Sequence, residues 1–253
     1  MMEEGFARMW ERRLSADSTF CRALVGCGYL TEAQMQRAAR RYRLGRSRDG
    51  GVIFWQIDEQ QRIRDGKIMY YHSDCHRDKH HNPTWISALL KQHYGYPYDI
   101  AIDRCLFGLH LLATDYTDFH REDDSHRNQC QSQNQCQSVK SVAKFVAKPV
   151  AVVEAEKTAV ICSELYPQYL WLAAGGLSML TVEKLLPLKE HKVILFPDTD
   201  PDGTAFARWH DIAVEASRHF LSPVYVSPLL EQRATPEQKQ RKIDLVDFIF
   251  DIL

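Results

Sequence analysis

Three carboxylates crowd the end of one short apolar run. Val193-Ile-Leu-Phe196 leads through Pro197 into Asp198-Thr-Asp200-Pro-Asp202-Gly203. Four apolar residues without alternation predict a strand buried on both faces of a parallel sheet. The C-terminal end of such a strand is where open α/β sheets bind ligands. Asp198 and Asp200, two residues apart, point the same way there and can share one hard cation, Mg2+ or Mn2+. Asp202 stands nearer the helical pattern of Phe206, Trp209, Ala213, Ala216 and Phe220, and is expected to cap that helix through its N–H groups. The helix start also favours a phosphate in the same crevice.

Strands must bring these carboxylates to one edge. Val150–Val153 is a second apolar run and ends in Glu154-Ala-Glu-Lys157. Tyr169–Ala173 ends in Gly175-Gly176, and Pro223–Val226 follows later; helical patterns over 158–166, 178–186 and 204–220 lie between the strands. Strands alternating with helices imply βαβ units and a parallel sheet. The C-terminal ends then share an edge, where Glu154 can converge with Asp198 and Asp200. A capping box, Thr235-Pro-Glu-Gln238, opens a tail that ends in the apolar stretch from Ile243 to Leu253.

The N-terminal part has a different pattern. Thr31-Glu-Ala-Gln34 is a capping box, followed by Met35, Ala38, Ala39 and Tyr42 at helical spacing. Arg37, Arg40, Arg41, Arg43, Arg46 and Arg48 crowd this helix and its exit without one acid among them. They read either as contacts to a nucleic-acid backbone or as a solvated face. Val52–Ile57 and Lys67–Tyr71 predict a hairpin, and Trp85–Tyr94 a further helix. His72, Cys75, His76, His80 and His81 invite a zinc reading, but they lack the separated ligand pairs of a structural site and are expected to form a surface loop. The polar stretch 115–147 holds His120-Arg-Glu-Asp-Asp-Ser-His126 and two cysteines among glutamines, and reads as a flexible linker. The expected organisation is an α+β domain over 1–114, the linker, and an α/β domain over 148–253.

Composition agrees with a globular protein: of 253 residues, 45% are hydrophobic and 26% charged. The seven cysteines are scattered, which suits reduced thiols. No apolar run is long enough to span a bilayer, and the start, Met1-Met-Glu-Glu4, lacks the pattern of a secretory signal, so a cytoplasmic protein without a membrane partner is expected. The net charge of −1 conceals a split of +3 over residues 1–147 and −4 over 148–253. A basic half beside an acidic half suits a protein that grips a polyanion with one part and a cation with the other.

An acidic residue after the first strand, with Asp-x-Asp after a later one, is the pattern of the toprim domain, and residues 148–253 resemble it throughout. Toprim domains occur in bacterial primases, topoisomerases, small nucleases and recombination proteins. Glu154 matches the family glutamate, Asp198 and Asp200 its Asp-x-Asp, and Gly203 the glycine after it; Ala155 stands where primase-like members often have glycine. The resemblance implies Mg2+-dependent phosphoryl or nucleotidyl transfer on nucleic acid, with Glu154 as general acid/base or further metal ligand. Asp244 or Asp247 corresponds to a later acidic position of primase toprims, and Lys157 joins the arginines as a candidate nucleic-acid contact. Gly51–Asp58 and Gly66–Tyr71 are similar to the segment before the toprim domain in primase-like proteins of bacterial mobile elements. DNA or RNA, and a helicase or other replication protein, are the partners this implies. No Cys-x-x-Cys pair occurs, so the zinc ribbon that reads a primase template is not expected here. A toprim-like nuclease and a non-catalytic nucleic-acid-binding module are the alternatives. A more distant one is a haloacid-dehalogenase-like phosphatase, whose Asp-x-Asp-Gly-Thr motif Asp200–Thr204 satisfies.

Overall fold

The computed structural model describes residues 14–95, 102–113 and 148–252, so the expected linker over 115–147 lies outside the described residues. The architecture is mixed α/β, with one antiparallel and one parallel sheet of four strands each.

In the first part, helix α1 (Thr19–Gly26) and helix α2 (Glu32–Arg41) precede strand β1 (Gly45–Arg46). Ser18 caps α1, and the expected Thr31/Gln34 capping box opens α2. Strands β2 (Val52–Ile57) and β3 (Ile63–Met69) form the hairpin, and β4 (Thr84–Trp85) completes the antiparallel order β1-β2-β3-β4 before helix α3 (Ile86–Tyr94). Strand β2 is buried throughout because it is covered on both sides. Val52 and Phe54 face the main core, whereas Ile53, Trp55 and Ile57 pack with Ile86 and Leu90 of α3.

In the second part β5 (Val150–Val153), helix α4 (Glu156–Leu165) and β6 (Leu170–Ala173) form the first βαβ unit. Helix α5 (Val182–Leu185), β7 (Val193–Phe196), helix α6 (Thr204–Ser217) and β8 (Tyr225–Val226) follow, then α7 (Leu229–Arg233), α8 (Pro236–Arg241) and α9 (Leu245–Ile252). The parallel order is β6-β5-β7-β8. The helix expected over 178–186 is broken: a 3-10 turn spans Leu177–Met179, and the Thr181 hydroxyl accepts the Lys184 N–H to start α5 afresh. Strand β7 is buried on one face only. Val193 and Leu195 point into the core beneath Trp209 and Ala213 of α6, while Ile194 and Phe196 are half-buried.

The two sheets do not keep separate cores. Phe20, Met35, Tyr42 and Phe54 from the first part pack in one cluster with Val153, Val160, Trp171 and Ala173 from the second. Phe107 exchanges both backbone hydrogen bonds with Ala173, at 2.9 and 3.1 Å, and so extends the parallel sheet beyond β6. Tyr42 stacks on Phe107 at 4.9 Å, and its hydroxyl donates to the Trp171 carbonyl at 2.8 Å. Gly108 permits this approach: its φ is +85°, and a Cβ there would stand 3.0 Å from the Tyr42 ring and 3.1 Å from the Trp171 carbonyl.

Candidate functional site

The chain leaves β5 toward β6 in one direction and β7 toward β8 in the other, so the crevice between the C-terminal ends of β5 and β7 is the switch point of the sheet. Glu154 follows β5 and Asp198 closely follows β7. Their ends are tied together by the Asp198 N–H, which donates to Glu154 Oε1 at 3.1 Å. Asp244 and Asp247 reach the same place from the start of α9, where the Asp247 N–H donates to Asp244 Oδ1 at 2.8 Å and Thr158 Oγ1 donates to Asp244 Oδ2 at 2.7 Å. Lys157 Nζ lies 3.6 Å from Asp244 and 3.8 Å from Asp247. These groups line a cavity of about 340 Å³ whose opposite wall is β3 and the turn that follows it, including Met69, Tyr71, His76 and Arg77.

The electrostatics follow from crowding. Burial, then Glu154, Asp244 and Asp247, push the Asp198 carboxyl well above the usual carboxylate range, and Lys157 offsets only part of this. Burial, then Asp200 and Asp244, raise Glu154 against the pull of the Asp198 N–H. Asp247 is likewise raised, by burial and then by Asp244. Burial depresses Lys157, but the surrounding carboxylates outweigh it and hold the ammonium above its ordinary value. The lining carries six carboxylates against Lys67, Lys157 and Arg77, so negative charge on oxygen donors prevails, and that chemistry fits a hard divalent cation. Among the described residues no group of three or more His, Cys, Asp or Glu side chains is gathered closely enough to enclose an ion.

Asp200, expected to share a cation with Asp198, takes up backbone N–H groups. Its Oδ1 accepts the N–H groups of Asp202 at 2.9 Å and Thr204 at 3.0 Å, and its Oδ2 accepts that of Ala205 at 2.6 Å. Asp200, not the exposed Asp202, caps α6; the sequence places two aspartates before the helix, and only the backbone path decides which folds back. Burial raises Asp200, but these three N–H groups and Lys242 hold its carboxyl below the usual range. A second cavity of about 380 Å³ lies on this side, between Asp198, Asp200, Thr204 and Lys242.

The arginine run is partly consumed by the fold. Arg37 and Arg41 both pair with Glu164 of α4, at 2.8 and 2.7 Å, and Arg41 also donates to the Ser163 hydroxyl at 3.1 Å. Arg46 lies on β1 with its Nε buried and without a hydrogen-bond partner, and Arg43 is half-buried with a positive φ of 52°. Arg40 and Arg48 are exposed. None of these arginines lines the first cavity.

Sequence reasoning misses two features here. Lys67 Nζ reaches across from β3 to Glu156 Oε1 at 2.6 Å and donates to the Gly175 carbonyl at 3.1 Å, with both charged side chains almost fully buried. Gly175, at φ +93°, lets the chain pass close by: an added Cβ would stand 3.4 Å from Glu156 Oε1 and 3.5 Å from Lys67 Nζ. A lysine that opens the apolar run Lys67–Tyr71 is the signal that could have found this pair. The histidine-rich loop is the other omission. It is a loop, as expected, closed by His72 N–H donating to the His76 carbonyl at 2.9 Å and by Asp78 pairing with His81 at 2.7 Å, but its Asp74–Arg77 turn faces the cavity.

Comparison with known proteins adds three findings. Residues 18–121 and 123–199 match a family model described as "Domain of unknown function (DUF6371)". No curated protein matches the chain. Among solved structures it is similar to the crystal structure of the primase fragment of bacteriophage T7 primase-helicase protein, at 17% identity and a TM-score of 0.38. That similarity covers 78% of this chain and 60% of that one, so the chain spans about three-fifths of the fragment.

Proposed function

The chain belongs to the family described as domain of unknown function DUF6371, a membership that brings no activity with it, and from its own site we propose Mg2+-dependent phosphoryl or nucleotidyl transfer on nucleic acid by a primase-like toprim protein. One observation carries the reading: Glu154 and Asp198 meet at the switch point of a parallel sheet, with Asp244 and Asp247 delivered to the same cavity by α9. Glu154 and Asp198 are the residues that would hold Mg2+ or Mn2+, which when bound would neutralise charge developing on phosphoryl oxygens.

The chain's own groups supply the rest. Glu154, whose carboxyl burial raises above its ordinary value, suits proton transfer at its carboxylate oxygens. His76 and Arg77 add donors to those of Lys67 and Lys157 in the cavity lining, where they would offset the acids toward a phosphate. Exposed Arg40 and Arg48 remain for contacts to a DNA or RNA backbone, whereas Arg37 and Arg41 chiefly hold α2 against α4. The toprim resemblance extends the proposal to a helicase or other replication protein as partner. The phosphatase alternative is disfavoured because its nucleophile would be Asp200, whose oxygens already accept three backbone N–H groups.

The test is incubation of the full chain with single-stranded DNA, labelled nucleoside triphosphates and Mg2+ or Mn2+. Label incorporation supports the primase-like reading, and strand cleavage in its place supports the nuclease. Either activity is expected to vanish in Asp198→Asn and Glu154→Gln. Cation-dependent activity that survives both substitutions would remove catalysis from this edge. DNA binding without any activity would leave the binding module.

A further inference from the structure

We propose that Tyr71 is a phosphate-binding residue of the acidic cavity, its hydroxyl donating, beside the Arg77 guanidinium, to a non-bridging oxygen of a substrate phosphate. The inference rests on the phosphoryl-transfer reading above and adds to it a group that would receive the phosphate from the wall opposite the acids.

The two-residue period of an extended chain puts Lys67, Met69 and Tyr71 on one face, and all three line the cavity. Tyr71 lies just beyond β3, where an isolated antiparallel bridge pairs it with Arg77, so the two side chains stand next to each other. The phenol ring is held in place: it packs on Phe20 of α1 with ring centroids 4.9 Å apart, and the residue is only 9% exposed. Its hydroxyl makes no hydrogen bond among the described residues. A mostly buried hydroxyl left unpaired costs free energy, and an acceptor oxygen arriving in the cavity recovers it. The lysines of the lining are already engaged. Lys67 Nζ is taken by Glu156 at 2.6 Å and by the Gly175 carbonyl at 3.1 Å, and Lys157 lies within 3.8 Å of both Asp244 and Asp247. Arg77 is exposed and forms no ion pair among the described residues, which leaves its N–H donors for an anion.

Burial, then Glu156, push the Tyr71 phenol well above its ordinary value, and Arg77 pulls it back only in part. The hydroxyl therefore keeps its proton at neutral pH and presents a donor. A phenol held protonated is also a poor nucleophile toward phosphorus, so the group binds and does not react. A hydroxyl donor beside a guanidinium selects an anionic oxygen. A ligand that reaches both walls needs such an oxygen for Tyr71 and Arg77 and further oxygens for a cation on the acid side, and a phosphate has both.

The experiment is titration calorimetry on the full chain, first with Mn2+ alone and then with ATP or adenosine in its presence. Tyr71→Phe keeps the ring against Phe20 and removes only the hydroxyl. Its Tm without ligand and its Mn2+ affinity should equal those of the wild type, while ATP binds about 10- to 100-fold more weakly, as expected for a lost hydrogen bond to a charged group. Adenosine, which has no phosphate, should bind the two proteins alike. Arg77→Ala, a change at an exposed residue, should also weaken ATP, and the double variant should lose less than the two single effects combined, because both donors serve one phosphate. The proposal is overturned if Tyr71→Phe holds ATP as tightly as the wild type, or if adenosine is weakened to the same degree. A lower Tm or a lost Mn2+ site in Tyr71→Phe would make the hydroxyl structural and overturn it too. A wild type that takes up Mn2+ but not ATP overturns the phosphate site and spares the metal reading; one that takes up no Mn2+ overturns that reading and this proposal with it.

Discussion

The metal-binding role proposed for Asp198 would carry a cost to the fold at neutral pH. Its folded pKa lies above that of an unfolded aspartate, so its contribution is favourable only below the unfolded pKa and is lost as pH rises through the folded one. Asp198→Asn removes the repulsion from Glu154, Asp244 and Asp247, and is expected to raise Tm at pH 7 in calorimetry and to abolish the Tm increase that the proposed Mg2+ or Mn2+ binding would give the wild type. A lower Tm for this variant would mean that the carboxylate is structural. Asp200→Ala, which leaves three N–H groups uncapped, should instead cost about 1–2 kcal/mol, and Asp202→Ala less than about 0.5 kcal/mol. His110 adds a pH dependence of the opposite sign. It is fully buried, its Nε2–H donates to the Arg41 carbonyl at 3.0 Å, and burial depresses it to about 4 from 6.5. Stability is complete above the unfolded value and is lost as pH falls toward the folded one, by about 3 kcal/mol from this residue alone. Denaturant titrations of wild type and His110→Gln between pH 7 and 4, converging toward low pH, would check it.

At the scale of elements, β3 and α4 meet through Lys67 and Glu156. Removing one partner strands a buried charge, so Lys67→Met or Glu156→Leu alone is expected to cost about 3–5 kcal/mol, whereas the double variant should recover most of it. A double-mutant cycle by chemical denaturation measures this, and additive losses would show that the pair is not coupled. The hairpin and the two capping boxes are legible in the sequence because each depends on residues a few positions apart, such as Thr31 with Gln34. The parallel sheet and the convergence of Glu154 with Asp198 are legible because strand–helix alternation leaves one common edge. Lys67 with Glu156, and Arg41 with Glu164, are not legible. Each partner is ordinary in its own segment, and only packing of residues far apart in sequence makes the pair. Asp200 and Asp202 differ for a subtler reason: both precede α6, and the φ of +66° at Gly203 belongs to the turn whose path sends Asp200 back to the helix N–H groups.

The whole molecule depends on the face that the two sheets share. Helix α4 together with residues of α1, α2 and β2 covers one side of the parallel sheet, and α6 covers the other. Val153, Val160, Trp171 and Ala173 are buried within the shared core, so a separated 148–253 fragment would expose a contiguous apolar surface of the kind that drives association. The hydrogen bonds of Phe107 to Ala173 and of Tyr42 to Trp171 would be lost as well. The organisation into 1–114 and 148–253 therefore stands as a proposal of two segments that need each other. Expressed together as separate chains, they are expected to co-purify as a one-to-one complex and to melt in a single transition. Expressed alone, 148–253 should aggregate or bind a hydrophobic dye. Replacing Tyr42 by Ala in the first segment would open the fully buried centre of the contact, at a cost of about 3–5 kcal/mol by analogy with other large aromatic truncations, and should weaken recovery of the second segment in the pull-down. Two segments that stay monomeric and melt cooperatively on their own would show instead that each holds a sufficient core. The acidic cavity would then be an interface between independent domains, and its shape would depend on how they dock.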